Sequence, residues 1–283
     1  MSTQTLTPRR VRRVILQGYL PLIVATACIV LPLLWMVLSS FKLPTGIIST
    51  PLQWLPHHLY LGNYQDAGRQ VPFARDFVNS AIVTIVGAGI KVVLSLFTAY
   101  GLVFCRFPGK SLIFLVILGT MMVPGEISIL PNYALIAGLG GLNTYWGIIL
   151  PGLGSGFGTF LLRQQLLAIP SSIVEAASID GAGHWVKLWR VVAPISTPTI
   201  ITVALICIVG EWNAYLWPLI ITDDPKMMTL PVGLSLLQDV EGGSISWGVL
   251  MAGSLIVILP ILLVFAVLQR HIVSGFTQGA VKG

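Results

Sequence analysis

The amino-acid sequence predicts an all-α membrane protein with six transmembrane helices. The chain has 283 residues, of which 55% are hydrophobic and 9% are charged, whereas soluble domains carry about 25% charged residues. Its mean hydropathy is +0.88. Six stretches are apolar over the roughly 20 residues that a helix needs to cross a bilayer. The net charge of +6 is modest and does not indicate nucleic acid as a partner.

The predicted spans form one transmembrane domain that covers residues 1–283. Prolines and glycines inside these spans are compatible with a membrane helix because neighbouring helices satisfy the freed backbone groups. The first apolar run exceeds the roughly 7–15 residues of a signal-peptide core, so we interpret it as a retained helix. The predicted spans are residues 14–41, 77–104, 111–130, 145–162, 197–220 and 247–268.

The placement of lysine and arginine predicts the orientation of these spans, since both are enriched in cytoplasmic loops. With the N-terminus inside, the inner segments hold 11 of these residues, the outer segments hold 4, and Lys91 lies inside the second span. We therefore expect a multi-pass protein of a prokaryotic plasma membrane with both termini in the cytoplasm. Residues 42–76 and 222–246 are then external loops, and residues 163–196 form a long cytoplasmic loop.

The long cytoplasmic loop carries the most informative local pattern. Ser172 and Glu175 have the spacing of a capping box at a helix start. Gly181 follows as a helix C-cap, because glycine adopts positive φ without strain. An amphipathic stretch then runs from Trp185 to Val192. The loop is therefore predicted to fold as a short helix, a glycine turn and a second helix outside the bilayer.

This loop resembles the EAA loop of binding-protein-dependent ABC permeases. A proline, Pro194, follows nineteen residues after the first residue of the motif, as in that family. Leu188 replaces the usual Phe and Ala193 replaces the usual Leu, and both changes keep an apolar face. The motif itself is Glu175-Ala176-Ala177-Ser178-Ile179-Asp180-Gly181-Ala182.

The resemblance implies a MalG/MetI-like permease fold and a set of partners. In that family the loop is a coupling helix that docks in a groove of an ATPase subunit. It also implies a cytoplasmic ATP-binding subunit dimer, a second permease subunit, an extracytoplasmic solute-binding protein and membrane lipid. The residues expected to couple to the ATPase are Glu175, Ala176, Ala177, Asp180, Gly181 and Ala182. An ordinary surface helix is the alternative for this segment.

Three further stretches are similar to sugar-uptake permeases of the MalG type. They are residues 104–110, residues 211–219 and the tail from residue 269 onwards. Residues 89–91 and 123–127 are similar to glycerol-3-phosphate permease subunits of the UgpE type. The resemblance implies inward transport of a sugar or sugar-like solute by alternating access. Glycerol 3-phosphate or a glycerophosphodiester is the narrower expectation, and a di- or oligosaccharide is the alternative.

The sequence indicates that this chain does not hydrolyse ATP itself. Gly109-Lys110-Ser111 is an incomplete P-loop, because the required first glycine would fall at Phe104. A permease without its own ATPase site therefore needs a partner that hydrolyses ATP. An ATP-independent secondary transporter is the competing class, since intramembrane charges are typical of it, but no inverted repeat is visible in the sequence. No nucleophile–base constellation indicates a membrane enzyme.

Charged residues inside the predicted spans are the candidates for a solute pathway. Each costs about 2.5–3.5 kcal/mol at mid-bilayer on insertion scales and therefore normally faces protein or water. Glu211, Trp212 and Asn213 form a polar, aromatic stretch suited to sugar hydroxyls, and Lys91 could attract a phosphate. The alternatives for Lys91 are a structural pair with Glu126 or Glu211, or snorkelling to an interface.

The sequence predicts neither a metal site nor a cofactor. Cys28, Cys105 and Cys207 lie far apart without ligand spacing, so we interpret them as packing residues. The pair His57-His58 lacks a third ligand. The resemblance further implies that the outer loop 222–246 reaches into the solute-binding protein, with a solvated connector as the alternative.

Overall fold

The computed structural model describes residues 15–47, 51, 53–238 and 246–277. All regular secondary structure in these ranges is helical, which confirms the predicted all-α class. A π-helical turn, Ile15–Tyr19, precedes the first helix. The α-helices are α1 (Leu20–Ser40), α2 (Pro44–Ile47), α3 (Gly62–Gln70), α4 (Phe73–Phe104), α5 (Lys110–Thr120), α6 (Ile129–Gly138), α7 (Tyr145–Ile149), α8 (Gly156–Leu167), α9 (Ser171–Ile179), α10 (His184–Lys187), α11 (Ala193–Ile195), α12 (Thr197–Trp212), α13 (Leu216–Ile221), α14 (Leu230–Ser235) and α15 (Trp247–Thr277).

Six apolar segments of the described ranges have the length and composition of membrane spans. Three are single helices: Gln17–Ser40, Phe73–Phe104 and Trp247–Val267. The other three are pairs of helices that are bent at a short break. Counting each bent pair as one span gives six. Five of these correspond to predicted spans, whereas the third bent pair joins His184–Ile195, which the prediction placed in the cytoplasmic loop, to α12 and ends before α13.

The predicted third span, residues 111–130, breaks after Thr120. The chain turns through Pro124, continues as the 3-10 turn Gly125–Ser128 and enters α6, so that the two halves meet at 92°. Pro124 has φ −58° and ψ 130° and lacks an N–H, so it cannot continue the hydrogen-bonded helix.

The predicted fourth and fifth spans are also interrupted. A 52° bend separates Tyr145–Gly152 from α8 in the fourth, where Pro151 removes a backbone donor. In the fifth, α12 ends at Trp212, and α13 begins as a separate helix at Leu216. The side-chain amide of Asn213 donates to the Val209 carbonyl at 2.8 Å and helps to close this helix end.

Backbone contacts divide the chain into two compact units. The single domain predicted over residues 1–283 remains a prediction. The first unit comprises Met1–Val71 and Leu236–Ile256. Within it, buried Asn63 donates to the carbonyls of Ser40 at 2.9 Å and Lys42 at 2.8 Å. The loop that follows α1 is thereby fixed to α3.

The second unit comprises Pro72–Ser235 and Val257–Gly283, and α4 lies at its centre. Helix α4 packs against α8 and α12. A Cβ added at Gly158 of α8 would lie 2.8 Å from Ser95 Oγ and 2.9 Å from Val203 Cγ1. Only glycine therefore permits this close approach of three helices, as is typical of small residues between membrane helices.

Candidate functional site: a coupling segment and a solute pathway

Helix α9 contains the EAA motif and begins directly after Pro170. Pro170 occupies the N-cap position, and no side chain caps this end. The predicted capping box is therefore wrong, because Ser172 lies at the second helical position and not at the N-cap. Fixed proline φ sets the helix start instead.

The opposite end of α9 is closed by the predicted glycine turn. Gly181 has φ +78°, and its N–H donates to the Ser178 carbonyl at 3.1 Å. The Ala182 N–H donates to the Ala177 carbonyl at 2.9 Å. These two bonds define a Schellman motif, which confirms the prediction that Gly181 ends this helix.

None of the residues of α9 is buried. Glu175, Ala176, Asp180 and Gly181 are exposed, whereas Ala177 and Ala182 are half-buried. Ile179 is 87% exposed, which is unusual for a large apolar side chain near a helix end. The structure thus brings the six predicted coupling residues together on one accessible helix and its turn.

The second helical stretch, His184–Ile195, is anchored to the bundle. It contains a π-helical turn, Leu188–Val192, and bends by 83° into α12. Leu188 is 3% exposed and Val192 is fully buried. Both belong to a hydrophobic cluster with residues of α4, α8 and α12, so this stretch is packed onto the helix bundle.

Aromatic contacts strengthen this anchor on α4. The Phe97 ring stacks on Trp185 with centroids 5.8 Å apart and meets Trp189 edge-on at 6.0 Å. The Tyr100 hydroxyl and His184 Nδ1 form a 3.0 Å hydrogen bond. Sequence reasoning missed Phe97 and Tyr100, because nothing local relates them to a loop some 84 residues later.

Lys91 of α4 and Glu211 of α12 form an ion pair inside the apolar segments. Their side chains are 19% and 12% exposed. Glycines face both partners: a Cβ at Gly87 would lie 3.3 Å from Glu211 Cδ, and one at Gly152 would lie 3.5 Å from Lys91 Nζ. The structure thus confirms the pairing of Lys91, which was the alternative interpretation of this residue, with Glu211 as the partner.

The other predicted pathway residues lie in different surroundings. Trp212 is 6% exposed, donates from Nε1 to the Val257 carbonyl at 3.0 Å and meets the Phe77 ring edge-on. Asn213 is exposed and closes α12. Glu126 is exposed in the turn Gly125–Ser128. Of the five predicted pathway residues, the structure therefore brings only Lys91 and Glu211 into contact. Trp212, which follows Glu211, is buried and has a structural role.

A cavity of about 820 Å³ reaches Ser95 of α4, one helical turn from Lys91, and neither member of the ion pair lines it. Its lining comes from α4, α5, the turn Gly125–Ser128 and the start of α8, and includes no acidic or basic side chain. Six of its lining residues carry hydroxyl groups: Ser95, Thr98, Thr120, Ser128, Ser155 and Thr159. Sequence reasoning missed this cavity, although Lys91, Ser95 and Thr98 have the spacing of one helix face.

Two asparagines hold the segment that follows α13. The Asn143 side-chain oxygen accepts the N–H groups of Asp223 and Asp224, both at 2.9 Å. The Asn79 amide donates to the carbonyls of Lys226 at 3.0 Å and Met228 at 2.8 Å. The start of the predicted outer loop is thereby fixed, whereas its residues 239–245 lie outside the described residues.

The described residues contain no group of three or more His, Cys, Asp or Glu side chains that could hold a metal ion. All three cysteines are free thiols: Cys28 is exposed, Cys105 is half-buried and Cys207 is buried.

Comparison with known families identifies the class of this fold and site. Residues 91–278 match the family described as "Binding-protein-dependent transport system inner membrane component". The chain belongs to this family and is a membrane-spanning permease component of an ABC importer.

Two relatives are similar to this chain over most of its length. The chain is 35% identical over 268 residues to the sn-glycerol-3-phosphate transport system permease protein UgpE of Brucella abortus (strain 2308), covering 92% of this chain and 95% of that protein. It is 35% identical over 258 residues to the probable ABC transporter permease protein YurM of Bacillus subtilis (strain 168), covering 89% and 83%.

Solved structures share the fold. A bacterial ABC transporter for import of the acidic polysaccharide alginate matches with a TM-score of 0.82 and 23% identity, over 95% of this chain and 99% of that chain. The alginate transporter in complex with a pentasaccharide-bound periplasmic protein matches with a TM-score of 0.63 and 12% identity, over 92% and 94%. These likenesses confirm the predicted ABC importer permease fold.

Proposed function

We propose that this chain is the permease subunit that moves a sugar-like solute inward, with glycerol 3-phosphate or a glycerophosphodiester as the solute. The names of the UgpE relatives support this solute class. The observation that carries the transport mechanism is the accessible helix α9, which is joined by a rigid turn to an anchored helix.

The partners of this mechanism are those that the family implies. A cytoplasmic ATP-binding subunit dimer docks on α9 and hydrolyses ATP, and this chain supplies no ATPase site of its own. A second permease subunit completes the pathway, and an extracytoplasmic solute-binding protein delivers the solute. In this arrangement both termini and residues 163–196 lie in the cytoplasm, and the loop 222–246 faces the solute-binding protein.

Alternating access then uses the connections between α9 and the bundle. When ATP closes the ATPase dimer, α9 is displaced with it, and the Schellman turn at Gly181 passes the displacement to His184–Ile195. That stretch packs on α4 and continues into α12. These two helices hold Lys91 and Glu211, so the displacement reaches the proposed pathway residues Lys91, Glu211, Trp212 and Asn213, whereas the fifth, Glu126, lies in the turn Gly125–Ser128.

An oligosaccharide is the second candidate solute. The uncharged, hydroxyl-lined cavity favours it, because sugar hydroxyls pair with hydroxyl side chains without a compensating charge. The size of about 820 Å³ also accommodates a ligand larger than glycerol 3-phosphate.

The mechanism is tested with Glu175→Lys and Gly181→Asp in the reconstituted importer. We expect both variants to lose solute-stimulated ATP hydrolysis and uptake of sn-glycerol 3-phosphate, because each places an unfavourable side chain on the docking surface. Asp66→Lys is a matched control, since Asp66 is an exposed acid on α3, outside the proposed surface.

Two results would contradict the proposal. Normal coupling in both variants would remove α9 from the mechanism. Uptake that persists in vesicles without an ATPase subunit would instead favour the secondary transporter.

A further inference from the structure

We infer that the hydroxyl-lined cavity receives the hydroxyl-bearing part of the solute, and that Glu211 withholds the charge of Lys91 from it. The inference rests on the proposed function, because it concerns which part of a sugar-like solute this subunit contacts. It assigns the phosphate of such a solute to groups outside this cavity.

The hydrogen-bond chemistry of the lining gives the first argument. Ser95 Oγ donates to the Ser155 carbonyl at 3.4 Å, Thr159 Oγ1 donates to the same carbonyl at 2.9 Å, and Thr120 Oγ1 donates to the Ile117 carbonyl at 2.7 Å. A hydroxyl has one proton to donate and two lone pairs. These three side chains therefore remain available to a ligand as acceptors.

Acceptors of this kind favour a ligand that donates hydrogen bonds. The hydroxyl groups of glycerol or of a sugar each supply one donor. A phosphate ester near neutral pH carries a charge of about −1.5 to −2, and the lining of this cavity holds no basic side chain that would compensate it. The polyol end of a glycerol phosphate therefore fits this cavity, and its phosphate end does not.

The ion pair gives the second, independent argument. Lys91 lies one turn before Ser95 on α4, on the same helix face, and its ammonium group is bonded to the Glu211 carboxylate. An anion that bound the Lys91 ammonium group in place of Glu211 would leave the Glu211 carboxylate charged, largely buried and without its partner, which is strongly unfavourable. The pair therefore keeps the side of the cavity nearest to it electrically neutral.

The first test measures occupancy of the cavity without transport. Thr98→Cys and, separately, Ser128→Cys are introduced into a variant whose three native cysteines are alanine, and the purified complex reacts with a neutral thiol reagent. Glycerol and sn-glycerol 3-phosphate should slow the modification, whereas inorganic phosphate at equal concentration should not. Protection by inorganic phosphate equal to that by glycerol would overturn the inference.

The second test uses matched threonine variants. Thr159→Val removes a cavity acceptor and should lower the rate of sn-glycerol 3-phosphate uptake about two- to tenfold, the usual weight of one hydrogen bond. Thr202→Val is the control, because Thr202 makes the same type of bond, to the Pro198 carbonyl at 3.0 Å, on α12. Equal effects of both variants would contradict a role for the cavity.

The third test concerns the pair. Lys91→Gln alone should lose most of the uptake of sn-glycerol 3-phosphate, because it leaves Glu211 uncompensated, and the double variant Lys91→Gln/Glu211→Gln should import this solute faster than the single variant. Selective loss of the phosphorylated solute in the double variant, with maltose uptake intact, would show that Lys91 binds the phosphate. If the complex imports neither solute, the proposed solute class fails, but the protection experiment still decides the role of the cavity.

Discussion

The two helices of the segment 171–195 differ in their relation to the rest of the molecule. Helix α9 has no buried residue, whereas His184–Ile195 buries Leu188 and Val192 in the cluster around α4. Only one glycine turn lies between them. In the proposed mechanism, this difference leaves one half free to bind another protein and fixes the other half to the helices that move.

The largest expected effect comes from the anchored half. Leu188→Ala should lower the free energy of unfolding by about 2–5 kcal/mol, because it removes a fully packed side chain from the cluster. Thermal unfolding of the purified chain in detergent measures this loss. A change below that range would mean that His184–Ile195 is not anchored as described.

The glycine turn is expected to have the next largest effect. Gly181→Ala forces a Cβ into the left-handed region at φ +78° and should cost about 1–2 kcal/mol. Gly183→Ala is the control, since Gly183 has φ −70° and open space around its Cα. We expect the first variant to reduce solute-stimulated ATP hydrolysis in the reconstituted importer and the second to leave it unchanged. Equal loss in both would contradict a specific role for the turn.

A smaller effect is expected from the hydrogen bond between the anchored half and α4. Tyr100→Phe keeps the ring and removes the bond to His184, so it should cost about 0.5–1.5 kcal/mol. Because the link between the anchored half and α4 is weakened, more ATP should be hydrolysed per solute imported. Tyr215→Phe serves as the control, because its exposed ring lies away from this contact. If Tyr100→Phe left the ratio of ATP hydrolysed to solute imported unchanged, this hydrogen bond would not contribute to coupling.

The smallest effect on stability is expected in the free half. Ile179 is 87% exposed, so Ile179→Ala should change the free energy of unfolding by less than about 0.5 kcal/mol. The same variant should nevertheless reduce copurification with the ATPase subunit. Unfolding and copurification measured on one preparation test both statements, and intact copurification would show that this side chain is not part of the docking surface.

The sequence by itself determined the class of the protein and the helix–turn–helix form of the segment that we propose for coupling. Span composition follows from the solvent, because a bilayer admits about 20 apolar residues whatever their neighbours. The closure of α9 at Gly181 is equally local, since the requirement for positive φ lies within one turn. The predicted capping box is wrong because two local signals competed for the start of α9. Pro170 is the N-cap residue, whereas a capping box would require Ser172 at the N-cap.

The tertiary structure alone decided which distant residues meet. Lys91 had two acidic candidates, and the packing of α4 on α12 selected Glu211 over a separation of 120 residues. The breaks after Thr120 and Trp212 were not resolved by hydropathy, because both halves of each broken span are apolar. The hydroxyl-lined cavity likewise exists only where α4, α5 and α8 converge. Hydropathy and capping act within a few residues, whereas ion pairing and cavity shape depend on contacts that only the packed helices create.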